Sequence, residues 1–118
     1  MISVPVSIGE LIDKITILEI KMIHIKSDNV KFELSKLNDI AKDYDCQELK
    51  SQLHEVNQEL WNTEDSLREC ERKGDFGENF ITLARNVYYK NDERSRIKRV
   101  INETFNSKIV EEKSYSAY

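Results

Sequence analysis

The sequence predicts an all-α fold, and three observations carry that expectation. Charged residues make up 34% of the chain and hydrophobic ones 39%, with one Pro and three Gly, a composition suited to long helices and poor in turn formers. Two long segments place apolar residues at alternating spacings of three and four, the stripe of a helix seam rather than the alternation of a strand. At 118 residues there is room for one continuous core and not for two, so residues 1–118 are expected to form a single helical domain.

Met1 to Val6 is short, β-branched and interrupted by Pro5, which predicts an extended lead-in or one strand. Ser7 then opens helix one, and with Glu10 it has the spacing of a capping box. Asp45-Cys46-Gln47-Glu48 repeats the signal after a turn at about 43–45, so helix two starts there. Helix two carries Cys46, Leu49, Leu53, Val56, Leu60, Thr63, Leu67 and Cys70; helix one carries Ile20, Ile23, Ser27, Val30, Leu34, Leu37, Ala41 and Tyr44. Folding the chain at Asp45 sets Tyr44 opposite Cys46, Leu34 opposite Val56 and Ser27 opposite Thr63, and all eight layers fall into one register. The expectation is a long antiparallel, coiled-coil-like hairpin, with the Ser27 and Thr63 hydroxyls paired inside it. The alternative is that Ser27-Asp28-Asn29 is a cap cluster that ends one helix and starts another.

A second stripe on helix one, Ile8, Leu11, Ile15, Leu18, Met22 and Ile25, needs its own cover. After the turn Lys73-Gly74-Asp75-Phe76-Gly77, two shorter helices restarted at Asn91-Asp92 would supply it, packed at the base of the hairpin. The half of the hairpin from about 30 to 60 would then project as an arm. The tail from Ile109 to Tyr118 has no helical stripe and reads as extended, in position to pair with the lead-in.

Several function classes find no support. The three glycines form neither a Walker loop nor a dinucleotide fingerprint. His24 and His54 stand apart from each other and from any Cys or His at zinc spacing, so no metal or other cofactor is expected. Cys46 and Cys70 fall on the seam, where packing explains them better than nucleophilic chemistry; as reduced thiols they fit a cytoplasmic location. The chain offers neither a spanning helix nor a leader pattern, which sets the membrane aside as a partner. The net charge of −4 argues against nucleic acid.

That charge is uneven. Between Arg85 and Arg99 lie six basic residues and two acids, a local +4 that leaves −8 for the remainder. Arg94, Lys98 and Arg99 could make a clamp for phosphate or carboxylate, because the planar guanidinium suits those anions, or simply a solvated face balanced by Glu93 and Glu103. Phe32, Ile40 and Trp61 lie off the seam, three large apolar groups that would suit a partner surface.

The run from Pro5 to Lys21, Pro-Val-Ser-Ile-Gly-Glu-Leu-Ile-Asp-Lys-Ile-Thr-Ile-Leu-Glu-Ile-Lys, resembles the N-terminal signature of an uncharacterised family of small bacterial proteins, a domain-of-unknown-function family. Leu60-Trp61 with Glu64-Asp65, Arg68 to Arg72, Ala84 to Tyr88, Asn91 to Arg94, Ile97 to Arg99 with Ile101-Asn102, and Val110 to Tyr115 with Tyr118 resemble the same pattern. The resemblance implies no activity and no catalytic residue. It does gather polar residues beyond the needs of packing, Glu10, Asp13 and Lys14, then Asn91, Asp92, Arg94 and Lys98, then Lys113 and Tyr115, at the base of the expected fold as a ligand site.

The leading functional expectation is a non-enzymatic helical interaction or adaptor protein, bound to an unidentified protein or to a second copy of itself as a homodimer. The alternative is a binding protein or enzyme for an anionic small molecule, with its site at the base.

Overall fold

The computed structural model describes all residues, Met1 to Tyr118, and contains helices and no strand. Helix α1 spans Ile8–His24, α2 Asp28–Ile40, α3 Gln47–Lys73 and α4 Glu78–Thr104, with a short 3-10 turn at Ala41–Asp43. The all-α class is correct. The pairing of the helices is not the one the eight-layer register suggested.

Helix one does not run through Ser27. It stops at His24, Lys26 takes a left-handed backbone (φ 53°), and the Ser27 hydroxyl accepts the N–H of Asn29 at 3.1 Å as the cap of α2. A local hydroxyl-to-backbone bond thus competes with helix continuation and wins, and Ser27 cannot face Thr63. Helix α2 runs back along α1, so that Asn38 and Ala41 come beside Ile12 and Ile15.

The long antiparallel hairpin is made instead by α3 and α4, joined at Gly74 to Gly77. Asn79 meets Cys70, Asn86 meets Thr63 and Lys90 meets Glu59, so a retreat of seven and then four residues on α3 matches an advance of seven and four on α4. Gly74 ends α3 at φ 68°, and the N–H groups of Gly74 and Asp75 reach back to Glu71 and Cys70, the left-handed cap that favours glycine. Helix α4 is one uninterrupted element of 27 residues. The expected restart at Asn91-Asp92 is absent, since both side chains bond outward, to Arg94 and Tyr118. The projecting end is accordingly the α3–α4 turn, where Glu71 to Asn79 are all exposed, and not the 30–60 region.

Helix α1 is the centre of the fold. Seven of the ten residues from Leu11 to Ile20 are buried, which needs cover on more than one flank. Helix α2 packs on one, while Ile12 joins Leu53, Val56, Ile97 and Ile101 in the core on the other. Ser7 caps α1 as expected, its hydroxyl accepting the Glu10 N–H at 3.0 Å, but the Glu10 carboxylate turns to Lys98 instead of closing the box.

Gly9 sets how closely α1 and α4 approach. Its N–H donates to the Asn102 side-chain oxygen at 2.6 Å, and a Cβ there would stand 2.5 Å from the Lys98 carbonyl oxygen. Backbone cannot yield as a flexible side chain does, so Gly9→Ala is expected to destabilise by roughly 2 to 3 kcal/mol. Urea denaturation checks this; a change within about 0.5 kcal/mol would mean that the two helices slide apart freely.

The N-terminal lead-in and the tail do not pair as strands. The Ser107 hydroxyl accepts the Ile8 N–H at 3.2 Å, and the tail then runs back along α4.

Candidate functional site

Seven of the buried residues are polar or charged: Ser7, Asp13, Thr16, Asn57, Thr63, Lys98 and Asn102. Most belong to one network where α1, α3 and α4 meet. Asp13, 0% exposed, accepts from Arg94 Nε at 2.9 Å, from Arg94 Nη2, and from Asn57 Nδ2 at 2.9 Å. Asn57 also donates to the Thr16 hydroxyl at 2.9 Å, and that hydroxyl donates to the Asp13 carbonyl. Lys98 Nζ reaches Glu10 at 2.7 Å and Glu111 at 3.0 Å, and stands 3.9 Å from Asp13. A buried carboxylate is tolerable only with such partners, and the bidentate Arg fork is the strongest of them.

The charges hold one another in place. The hydrogen bond to Asp13 raises the Arg94 guanidinium further above its ordinary value, against the opposing effect of burial. Burial pulls the Lys98 ammonium down, but Glu10 and Glu111 together outweigh it and the net shift is upward. Glu111, bonded to Lys98, is lowered in turn.

Beside the network lies a cleft of 570 Å³ between α1, α3 and α4. Ile17, Ile20, Leu60, Trp61 and Val87 give it apolar walls; Asn57, Asn91 and Arg94 line the part next to the network. Glu64, Asp65 and Arg68 line it roughly two to three turns further along α3 from Asn57. Trp61 is stacked on His24, ring centroids 4.7 Å apart, and its indole N–H is buried without an acceptor in the protein. Buried N–H groups are nearly always bonded, so this one marks a position that calls for an acceptor.

Of the residues expected at a ligand site, Glu10, Asp13, Arg94 and Lys98 come together in the network. Asn91 accepts from Arg94 Nη1 at 3.4 Å. Lys14 is exposed on α1, 3.9 Å from Glu10. Asp92 accepts from the Tyr118 hydroxyl, and Lys113 lies 3.7 Å from Glu111 and over the Tyr115 ring. The three candidate partner residues separate: Phe32 and Ile40 are exposed on α2, whereas Trp61 lines the cleft. No three His, Cys, Asp or Glu side chains gather where they could hold a metal ion, and no helix is long and apolar enough to cross a membrane.

A family model described as "Family of unknown function (DUF6165)" matches residues 2–118. The chain belongs to that family. No curated protein and no solved structure matches it. Within this DUF6165 domain the stretches singled out by resemblance, among them Leu60-Trp61, Glu64-Asp65, Val87 and Asn91 to Arg94, supply much of the cleft lining.

Sequence reading missed Asn57, Thr16, Glu111 and Tyr118. Asn57 had a signal: with Leu53, Val56 and Leu60 it fits one helical face, so a carboxamide there is a buried polar group in need of partners.

The tail clasp predicts a pH window. Glu111 has a folded value below its ordinary 4.5, so its contribution is present above that and is lost as pH falls through the folded value. Lys98 is raised above 10.5 and contributes fully below that, losing its effect as pH rises through the folded value. Tyr118, pushed up to about 12 chiefly by its bond to Asp92, behaves as Lys98 does, favouring docking below 10.0 and losing the contact through about 12. The NMR shifts of the Tyr118 ring are expected to hold their docked values between roughly pH 5 and 10 and to move toward free-peptide values outside that window. Docked shifts persisting at about pH 3 would show that the ion pairs do not hold the tail.

Proposed function

We propose that the domain binds a small amphipathic anion in the cleft between α1, α3 and α4. The observation that carries this reading is the state of Arg94. Its Nε and one face of Nη2 are held by Asp13, while Nη1 meets only Asn91 at 3.4 Å. The Nη1–Nη2 edge, the second fork of the guanidinium, therefore stays available on a side chain that lines the cleft and is 28% exposed. A preorganised fork beside apolar walls suits a carboxylate or phosphate attached to an apolar body. Glu64 and Asp65, with Arg68 among them, make the far end of the cleft less suited to an anion than the Arg94 end, and the Trp61 ring supplies an apolar wall to the ligand's body.

The site is narrower than the basic segment suggested. The Lys98 ammonium is taken up by Glu10 and Glu111, so Arg94 is the cation at the network end of the cleft, with Arg68 at the far end beside Glu64 and Asp65. The reading is binding and not catalysis: Asp13, the carboxylate nearest the fork, is buried and accepts three hydrogen bonds, so it is not placed to exchange protons with a ligand.

The test is a thermal-shift and calorimetric screen of short aryl and alkyl carboxylates and phosphates on the full chain and on Arg94→Lys. Lysine retains a positive charge for Asp13 but loses the second fork. Binding is expected to weaken at least about tenfold in Arg94→Lys. A ligand whose affinity ignores that change, or the absence of any ligand in the screen, would overturn the proposal.

One observation favours a second reading, a helical interaction protein. Helix α2 has no buried residue, and Phe32 and Ile40 on it are each 58% exposed. Sedimentation equilibrium of the native chain and of Phe32→Ser with Ile40→Ser would show self-association, if it exists, and whether this face carries it.

A further inference from the structure

The C-terminal tail is fastened at two places. At one, Glu111 pairs with Lys98 and Glu112 with Arg99, both at 3.0 Å. At the other, the Tyr118 hydroxyl bonds Asp92, and its ring stands edge-on to Tyr88 and Tyr89 at 5.2 and 5.0 Å. Lys98 and Asp92 are six residues apart on α4, a rise of roughly 9 Å at 1.5 Å per residue. Glu111 and Tyr118 are seven apart, and extended chain covers roughly 23 Å over that length at 3.3 Å per residue. The tail is longer than the axial distance between its fastenings, and the slack leaves room for it to bow away from the helix.

Under the bow is a second hollow, of 620 Å³, lined from α4 by Tyr88, Asn91 and Asp92 and from the tail by Lys113, Tyr115 and Tyr118. Three of the chain's five tyrosines are therefore collected around one space, with Lys113, 3.7 Å from Glu111, as its cation and with the Asp92 carboxylate on its wall occupied by the Tyr118 hydroxyl. We propose that this hollow is a binding site for a planar aromatic anion, the ring held among Tyr88, Tyr115 and Tyr118 and the anionic group on Lys113. Aromatic faces and edges favour another flat ring, and an ammonium beside them favours a carboxylate or phosphate on it. Asn91 supplies a carboxamide to a polar substituent. The site exists only while the tail is docked, which distinguishes it from the Arg94 cleft; the two touch through Val87 and Asn91.

The experiment uses the full-length chain and phenyl phosphate, followed by ligand-observed NMR and calorimetry, with cyclohexyl phosphate and phenol as comparisons. Phenyl phosphate is expected to bind in about the millimolar range that a fragment of this size permits, and both comparisons more weakly. Lys113→Gln and Tyr115→Leu are each expected to weaken it about tenfold, measured in the native chain and again on the Arg94→Lys background, because an aryl phosphate also suits the Arg94 cleft and that background isolates the hollow. Tyr115 is 78% exposed, and the Lys113 side chain is 36% exposed with Glu111 as its ion-pair partner, so each variant is expected to keep a melting temperature close to the native one, measured beside binding. Phenyl phosphate binding that is indifferent to Lys113→Gln and Tyr115→Leu, that is lost only in Arg94→Lys, or that fails to saturate at all overturns the assignment. Loss in Arg94→Lys alone would place the probe in the first cleft and leave the Arg94 proposal standing.

Discussion

Arg94→Ala is expected to destabilise the domain by about 3 kcal/mol or more, the cost of leaving a buried carboxylate without its main partner. Asp13 is 0% exposed, with Asn57 and the more distant Lys98 as its remaining company. Lys98 at 3.9 Å keeps the loss toward the lower end of the range for broken buried pairs, roughly 3 to 5 kcal/mol. Replacing both charges, as Asp13→Asn with Arg94→Met, should recover much of the loss, because no uncompensated charge then remains. Urea denaturation of the single and double variants measures the coupling. A single-variant loss under about 1 kcal/mol would mean that water reaches Asp13 once the arginine is gone.

Leu53→Ala is expected to cost about 3 to 4 kcal/mol, since Leu53 is 0% exposed at the centre of the core with Val56, Ile97 and Ile101. Its removal leaves a cavity walled by two long helices that cannot readily collapse into it. The exposed Glu55, two residues along the same helix, should cost less than about 0.5 kcal/mol as alanine. Leu34→Ala separates the two possible pairings of α3. Opposite Val56 in a continuous hairpin it would cost as much as Leu53→Ala; half-buried on α2, it should cost only about 1 kcal/mol. Comparable losses at Leu34 and Leu53 would contradict the observed packing.

The elements themselves were largely legible. Ser7 caps α1, α3 begins within two residues of Asp45, and the Gly74 turn lies where the glycine pattern put it. Of the eight residues on the α3 stripe, Leu53, Val56, Thr63 and Cys70 are buried and the other four are half-buried. Its partner was not legible, for a physical reason. Any two helices with three-and-four spacing can be set in register, so the match between α2 and α3 carried no information about which of them meet. The true partner presents Asn79, Asn86 and Lys90 on the facing side, and a search for apolar stripes passes over a seam whose layers are closed by hydrogen bonds and an ion pair. A single hydroxyl at Ser27 then decided where α1 stops. Of the site, Glu10, Asp13, Arg94 and Lys98 were placed together from resemblance and from the local excess of basic charge. Trp61 was read as an outward-facing group, because its position off the seam does not reveal that α1 and α4 meet beside it.

The central position of α1 has a consequence for biosynthesis. The contacts that fix it are remote in sequence, Asp13 with Arg94 across 81 residues and Gly9 with Asn102 across 93. The α3–α4 hairpin, by contrast, closes on near neighbours through a four-residue turn, and local closure is fast. Helix α1 leaves the ribosome ahead of α3 and α4, and is thus among the last of the four to find its place. Until α3 and α4 have emerged, the Leu11–Ile20 stretch has only α2 to shelter against, and its apolar surface is open to chaperones or to other nascent chains. A ribosome-stalled fragment ending before Arg94 should therefore show α1 freely accessible to protease, and one extending past the clasp at Glu111 should show it protected.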